Sequence, residues 1–475
     1  MARIVIVGAG FAGQTAALYL GHRLARDHQV TMINASDQFY FIPSFVWVGT
    51  GRMAPHRTHF PLAGVYKRFG IRLEVGRAVE VNPVSGWVRV ERHDAPDLRV
   101  EYDQLLLATG PRLNFDATPG LGPGRHSQSI CTLSHAVEAS HAYLEEVARL
   151  ERGERRRFLI GTGHPGATCQ GAAFEYICNI HRDLVARRLR DRVDLRWLSN
   201  EAELGDFGIQ GLEMVKGGTR LSSEQFIGAA FRDMGVSWQV RTGVTGLDAG
   251  VAHWRDYEDH EGETPFDFAM LIPQFTGVPL KVCGDAGEDL SSTLLNPAGF
   301  VLVDGIYGLP WSELAQRPEA WPAQYQNPTW RNIHAAGIAF APPGPISRPH
   351  VTPGGFSITA APPRTGMVSG IIGRLVALNI ADKLQTGHSP HSERMSEMAA
   401  ACIASMGDSL WDGSAATILI HPVVPDHRKF PDSGGRDPFV THMEMGLAGA
   451  WMKRLIHSTF MHKLQGRPGW RLIPE

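Results

Sequence analysis

The feature that most constrains this chain is its opening. Ile4, Val5, Ile6 and Val7 form an apolar strand that runs into Gly8-Ala9-Gly10-Phe11-Ala12-Gly13, and the helical stretch Gln14 to Leu24 follows. Gly8, Gly10 and Gly13 are spaced for a tight turn, for close approach of the backbone to a pyrophosphate, and for close helix packing. The helix then points its unbonded N–H groups at the phosphates. A second strand, Val30 to Ile33, completes a βαβ unit, so the first lobe is expected to bind a dinucleotide.

The pattern recurs downstream. Phe158-Leu159-Ile160 leads into Gly161, Gly163 and Gly166, and a helix starts near Ala167. The expected fold is therefore α/β, with two Rossmann-like dinucleotide-binding domains in series. Its 475 residues, 43% of them apolar, exceed what one core serves. Residues 1–154 read as the first part of a FAD-binding domain and 155–290 as the second Rossmann-like domain. Residues 291–387 read as the second part of the FAD domain, and 388–475 as a mainly helical, amphipathic C-terminal region. The Pro- and Trp-rich stretch Leu309 to Gln326 reads as a surface insertion.

Ala108-Thr109-Gly110, closing the strand Leu105 to Leu107, is a second flavin-fold marker, and the two motifs together favour FAD over NAD in the first lobe. The acid expected about twenty positions after the glycines is Asn34 instead, which can still accept a hydrogen bond from the ribose. The 46 basic and 48 acidic side chains nearly cancel, which argues against a nucleic-acid partner. Five cysteines without a CxxC form neither a disulfide scaffold nor a zinc site, so no metal is expected and a reactive cysteine reads as redox-catalytic. The N-terminus lacks a signal-peptide pattern and no run of eighteen apolar residues exists, so a cytosolic-side protein without a spanning helix is expected.

Further strings cover almost the whole chain: Pro43-Ser44 with Trp47, Ser129-Ile130-Cys131 with His135, and Ala167-Thr168-Cys169-Gln170-Gly171 through Glu175-Tyr176. Asn296-Pro297, Ala335-Ala336-Gly337, Pro363-Arg364-Thr365-Gly366 and Cys402-Ile403-Ala404 continue the series. With these the chain resembles the sulfide:quinone oxidoreductases. The resemblance implies oxidation of sulfide, or a related reduced sulfur compound, to polysulfide or persulfide, with electrons passing through FAD to a membrane quinone. It implies that Cys169 is the redox thiol, with Cys131 and His135 sharing a helix face beside it. Glu175 would relay protons and Arg364 would be a fixed cation at the flavin pyrimidine. Pro43, Gly337 and Thr365 would join the glycines at the cofactor.

The chain also departs from that family. Gly354 to Pro362 lacks the third cysteine, and Ile338 stands where flavoproteins place an acid after Gly337. Cys169 would then work with Cys131, with Cys402, or alone through a persulfide. Cys178, nine residues along the same helix, reads as structural. On a helical wheel Met445, Ala448, Met452, Leu455, Ile456 and Phe460 form one face flanked by Lys453, Arg454 and His457. That pattern suits a helix lying on a bilayer surface, so the protein reads as peripheral on the cytoplasmic membrane, with self-association into a homo-oligomer left open. Phe356 and Ile358 are candidate quinone contacts. The rivals are a type II NADH:quinone reductase, needing an open second-lobe glycine loop, and a catalytically silent FAD-binding protein.

Overall fold

The computed structural model describes residues 1–363, 365–407, 411 and 413–475. β1 (Arg3–Val7) lies in the middle of a parallel sheet, with α1 (Phe11–Leu24) leading to β2 (Gln29–Asn34). β1 pairs β2 in register Ile4↔Val30, and β3 (Ile71–Val75) and β4 (Gln104–Leu107) extend the sheet on its two sides, in register Val30↔Ile71 and Ile4↔Gln104. Ile4 to Val7 are buried, as a continuous apolar run in a parallel sheet covered on both faces should be.

The chain then crosses through α2 (Leu133–Glu151) into a second parallel sheet. There β5 (Arg156–Thr162) is followed by α3 (Gln170–Ala186), β6 (Val193–Leu198), β7 (Val236–Gln239) and β8 (Phe268–Ile272), in spatial order β7-β6-β5-β8. β9 (Ile333–Ala335) returns to the first sheet beside β4, giving the order β9-β4-β1-β2-β3. The first lobe is thus assembled from segments on both sides of the second. α4 (Gly366–Thr386) packs directly on α1, where a Cβ at Gly373 would lie 2.2 Å from the Ala12 carbonyl oxygen.

The C-terminal region adds a three-stranded antiparallel sheet, β10 (Ala400–Met406), β11 (Ser414–Ile420) and β12 (His442–Gly446), under α5 (Leu447–Leu464). Among the described residues no helix is long and apolar enough to cross a membrane. The stretch expected to be a surface insertion is packed instead: Leu314, Ala320, Trp321 and Tyr325 are buried. The Asp304 carboxylate accepts N–H bonds from Ala323, Gln324 and Tyr325, so aromatic anchors and one capping carboxylate replace the periodic pattern a helix or strand would have shown.

Candidate functional site

The first-lobe glycines each answer a different steric demand. Gly8 adopts φ +100, and a Cβ there would lie 2.3 Å from the Ala108 carbonyl oxygen. A Cβ at Gly13 would lie 1.8 Å from the Gly8 carbonyl oxygen, whereas one at Gly10 would meet nothing within 4 Å. Gly10 therefore faces open space at the N-terminus of α1, which is where a pyrophosphate fits. The Ala108 N–H is bonded to Val7, and Gly110 turns the chain away with φ +69.

Asn34 is used differently from the expectation. Its Oδ1 accepts the Ala9 N–H at 2.9 Å and its Nδ2 donates to the Ser36 carbonyl at 2.8 Å. The side chain braces the glycine turn, because a short amide at the end of β2 reaches the loop on one side and the following turn on the other.

Gly337, φ +66, is wedged against Ala12 and Ser369, where a Cβ would stand 3.0 Å from Ala12 Cβ. Thr365 caps α4, and its buried Oγ1 has no hydrogen-bond partner among the described residues; the same holds for Trp47 Nε1. Arg364 lies outside the described residues. Pro43 sits in a tight turn whose next residue, Ser44, shares a 2.8 Å hydrogen bond with His457 Nδ1 of α5. Around it an aromatic wall gathers: Phe11 packs against Phe41 and Phe460, and the His457 ring lies 5.3 Å from Phe41 and 6.4 Å from Trp47. Open space at Gly10 together with orphaned polar atoms at Thr365 and Trp47 fits an elongated dinucleotide.

The second glycine loop is closed. Asn200 Nδ2 donates to the carbonyls of Pro165 and Ala167, both at 3.0 Å, and the Gly166 N–H is taken by His164 Nδ1. Residues 359–362 run over the loop: Thr359 and Ala361 donate N–H bonds to Pro165 and Ala167, and Thr168 Oγ1 donates to the Pro362 carbonyl. The acid after β6, Glu201, is buried, which pushes its ionisation up to about 8. It accepts bonds from Ser199 and Phe207 and faces no opening. A nicotinamide dinucleotide would find the Gly166 and Ala167 amides already bonded to His164, residues 359–362 over the loop, and Glu201 buried rather than facing a ribose.

At the end of this loop Cys169 caps α3 in the left-handed region, φ 62 and ψ 34. A side chain pays about 1 kcal/mol or more for that conformation, and the bonds from residues 359–362 hold it there. Cys402 approaches the same turn from β10. A Cβ at Gly171 would lie 3.6 Å from Cys402 Sγ, and the neighbouring Ala401 N–H points at Met367 Sδ in the first turn of α4, 3.2 Å away. Burial, reinforced by the Glu175 carboxylate, pushes the Cys402 thiol up to about 11.

Glu175 is clamped rather than presented to a cavity. Its Oε2 accepts Lys453 Nζ at 2.9 Å, and its Oε1 accepts Ser405 N–H at 3.1 Å and Ser405 Oγ–H at 2.6 Å. Lys453 also donates to the Ile403 carbonyl. The lysine expected on the lipid-facing flank of α5 is therefore buried against α3. The expected apolar face is likewise divided: Met445 lies in β12, before the helix begins, Ile456 and Phe460 of α5 pack on the core, and Ala448, Met452 and Leu455 face outward with Trp451.

Two further expectations are corrected. Thr132 caps α2 by accepting the His135 N–H, so the helix begins at Leu133 and Cys131 precedes it; the pair shares no helix face. Burial pushes the Cys131 thiol up to about 11, and His135 turns toward Phe115 in a cavity of about 480 Å³ shared with Asp116 and Arg125. Phe356 lies under the Arg255 guanidinium and against Gly243 of the second lobe, away from the C-terminal region, and Ile358 is buried. Cys178 is buried in the core, and Cys283 donates to Glu80 beyond the site. The sequence reading missed Asn200 and Ser405, and took His457 for a bilayer-facing flank, because their partners lie far along the chain and no local spacing marks them.

Residues 2–273 match the family model described as pyridine nucleotide-disulphide oxidoreductase. The sulfide-quinone reductase of Aquifex aeolicus (strain VF5) is 28% identical over 430 residues, 90% of this chain and 86% of that one. The mitochondrial sulfide:quinone oxidoreductase of Dictyostelium discoideum is 22% identical over 208 residues, 42% of this chain and 43% of that one. Among solved structures, the Aquifex aeolicus sulfide:quinone oxidoreductase superposes with TM-score 0.77 at 24% identity, over 99% of this chain and 93% of that one. The Plasmodium falciparum NDH2 bound to NADH superposes with TM-score 0.65 at 10% identity, over 99% and 97%.

Proposed function

Because the chain belongs to the pyridine nucleotide-disulphide oxidoreductase family, we propose that it oxidises sulfide, or a related reduced sulfur compound, to polysulfide or persulfide and passes the electrons through FAD to a membrane quinone. The observation that carries this reading is Cys169: a thiol in a strained cap stands where a nicotinamide loop would open, and residues 359–362 close that loop. A reductant enters this lobe as sulfur rather than as hydride.

FAD, when bound, accepts an electron pair from a thiol and releases it to quinone. Gly8, Gly10 and Gly13 would receive its pyrophosphate, with the Ala108-Thr109-Gly110 turn beside them. Trp47 Nε1 and Thr365 Oγ1 supply unused polar atoms, and the N-terminus of α4 favours negative charge nearby. The quinone is best accommodated by the wall of Phe11, Phe41, Phe460 and His457, which α5 completes, in place of Phe356 and Ile358. The outward face of α5, with Trp451 51% and Leu455 61% exposed, suits contact with a bilayer surface.

The test is anaerobic mixing of the purified holoprotein with sulfide, followed by decylubiquinone, while the visible flavin absorbance is recorded. Bleaching by sulfide and recovery with the quinone are expected, and NADH as sole donor should leave the flavin oxidised. Rapid bleaching by NADH, or none by sulfide, would overturn the proposal.

A further inference from the structure

We propose that Cys402 is the second redox cysteine of this enzyme, forming a disulfide with Cys169 across the gap between β10 and α3. This rests on the sulfide-oxidising reading above and adds to it a catalytic residue from the C-terminal region.

Three contacts fix where Cys402 stands. The side-chain space at Gly171, two residues after Cys169, opens directly onto Cys402 Sγ at 3.6 Å. The residue before it, Ala401, is bonded to Met367 in the first turn of α4, and a Cβ at Gly366 would lie 3.3 Å from the Phe11 ring of the cofactor cradle. Cys402 therefore sits between the redox thiol on one side and the cofactor-side end of α4 on the other. The two thiols are close enough for charge on Cys169 to oppose ionisation of Cys402.

The strand is held in that place. Ser405, three residues on, is bonded to Glu175, and its carbonyl and hydroxyl accept Asn179 Nδ2 at 2.7 and 3.0 Å. Gly407 N–H donates to Asn179 Oδ1 at 3.1 Å. Lys453 joins Glu175 to Ile403 beside Cys402 itself. The Ser405, Gly407 and Lys453 bonds to Glu175 and Asn179 tie the C-terminal region to the single helix that Cys169 caps, and the Lys453–Ile403 bond ties α5 to β10, so the approach of the two cysteines is built into the docking of the C-terminal region. Cys131, which precedes α2 and is held by Ser129, has no comparable tie to α3 among the described residues.

The chemistry balances without another reactant. Hydrosulfide attacks Cys169 Sγ, the Cys169–Cys402 bond breaks, and Cys402 leaves as a thiol that takes the proton from hydrosulfide. Cys169 then carries the sulfur as a persulfide anion. A second hydrosulfide removes that outer sulfur as hydrodisulfide and leaves the Cys169 thiolate. Reclosing the disulfide releases one proton and one electron pair, which passes through FAD to quinone. The sum is two HS⁻ giving HSS⁻, one proton and two electrons.

The experiment is a non-reducing peptide map of holoprotein oxidised with diamide, then alkylated and digested, alongside a sample first reduced with dithiothreitol. A Cys169–Cys402 cross-linked peptide that dithiothreitol abolishes is expected. Finding Cys169 joined to Cys131, or both Cys169 and Cys402 alkylated, would overturn the inference. This map does not depend on sulfide, so it separates the pairing from the substrate reading. In turnover, Cys402→Ser should lose about 100-fold or more with flavin content retained. Cys169→Ser with Cys402→Ser should be no worse than either alone, because the two act as one unit. If sulfide bleaches the wild-type flavin yet Cys402→Ser turns over normally, the pairing falls and the sulfide reading stands.

Discussion

Replacing Lys453 by methionine tests whether α5 is tied to α3 or lies loosely on the surface. In the folded chain Lys453 and Glu175 form an ion pair at 2.9 Å with both side chains only 8% exposed. Methionine matches the length of the stem but removes the charge. Glu175 would keep its Ser405 bonds but lose its only ammonium partner among the described residues, and the Ile403 carbonyl would lose a donor at 3.0 Å. Breaking a buried pair from one side costs about 3–5 kcal/mol. The cost should appear as local opening of β10 and α5, measured by hydrogen exchange of peptides from these elements. Every 1.4 kcal/mol is tenfold, so exchange limited by that opening should quicken by roughly 10²–10³-fold. Replacing Glu175 by methionine as well removes the stranded carboxylate, and the double variant should recover about 1–3 kcal/mol relative to the sum of the singles. If Lys453→Met exchanges like wild type, the ammonium reaches water along a snorkelling stem, and the account of α5 given above is wrong.

Glu201 gives a pH prediction. Its ionisation is pushed up to about 8 by burial, against roughly 4.3 in an unfolded chain. The folded protein holds the proton longer, so this group's contribution to stability is full below about pH 4 and is lost as pH rises through about 8. Denaturant midpoints should therefore fall between about pH 5 and 8, and Glu201→Gln should flatten that decline; equal slopes in the two proteins would contradict it. Leu455→Glu should weaken sedimentation with anionic phospholipid vesicles by about tenfold or more. Because Leu455 is 61% exposed, its denaturation midpoint should stay unchanged, and undiminished vesicle binding would move the bilayer contact away from α5.

What could be read from the chain was what its neighbours in sequence decide. Gly8, Gly10 and Gly13 declare themselves because the turn, the open space and the helix contact all arise within six residues. The match of residues 2–273 to a disulphide oxidoreductase family and the parallel sheets agree with two Rossmann-like units in series. The start of α2 was also legible: Thr132 followed by His135 three residues on has the spacing of a capped helix, and reading it would have kept Cys131 off that helix. Asn34 was visible as a departure, but whether its amide serves a ribose or the Ala9 N–H depends on a loop geometry that composition does not encode.

The C-terminal region was harder for a different reason. A helical wheel fixes the angles between the side chains of α5 but not which of its faces meets protein. Here both sides are apolar, Ile456 and Phe460 inward and Trp451 and Leu455 outward, and hydrophobicity alone cannot rank them. The decision falls to Lys453, which lies between the two. A lone lysine would turn to water, but here it pairs with a carboxylate 278 positions earlier on α3, which sets which side of α5 faces protein. In that setting Trp451 and Leu455 are exposed and His457 sits on Ser44. The same docking brings Ser405 onto Glu175 and Cys402 onto the turn that Cys169 caps. The aromatic wall, the outward apolar face and the placement of Cys402 thus share one docking, in which this long-range ion pair is the buried charged contact. Weakening that pair should disturb all three together, whereas a mutation on the outward face should disturb only one.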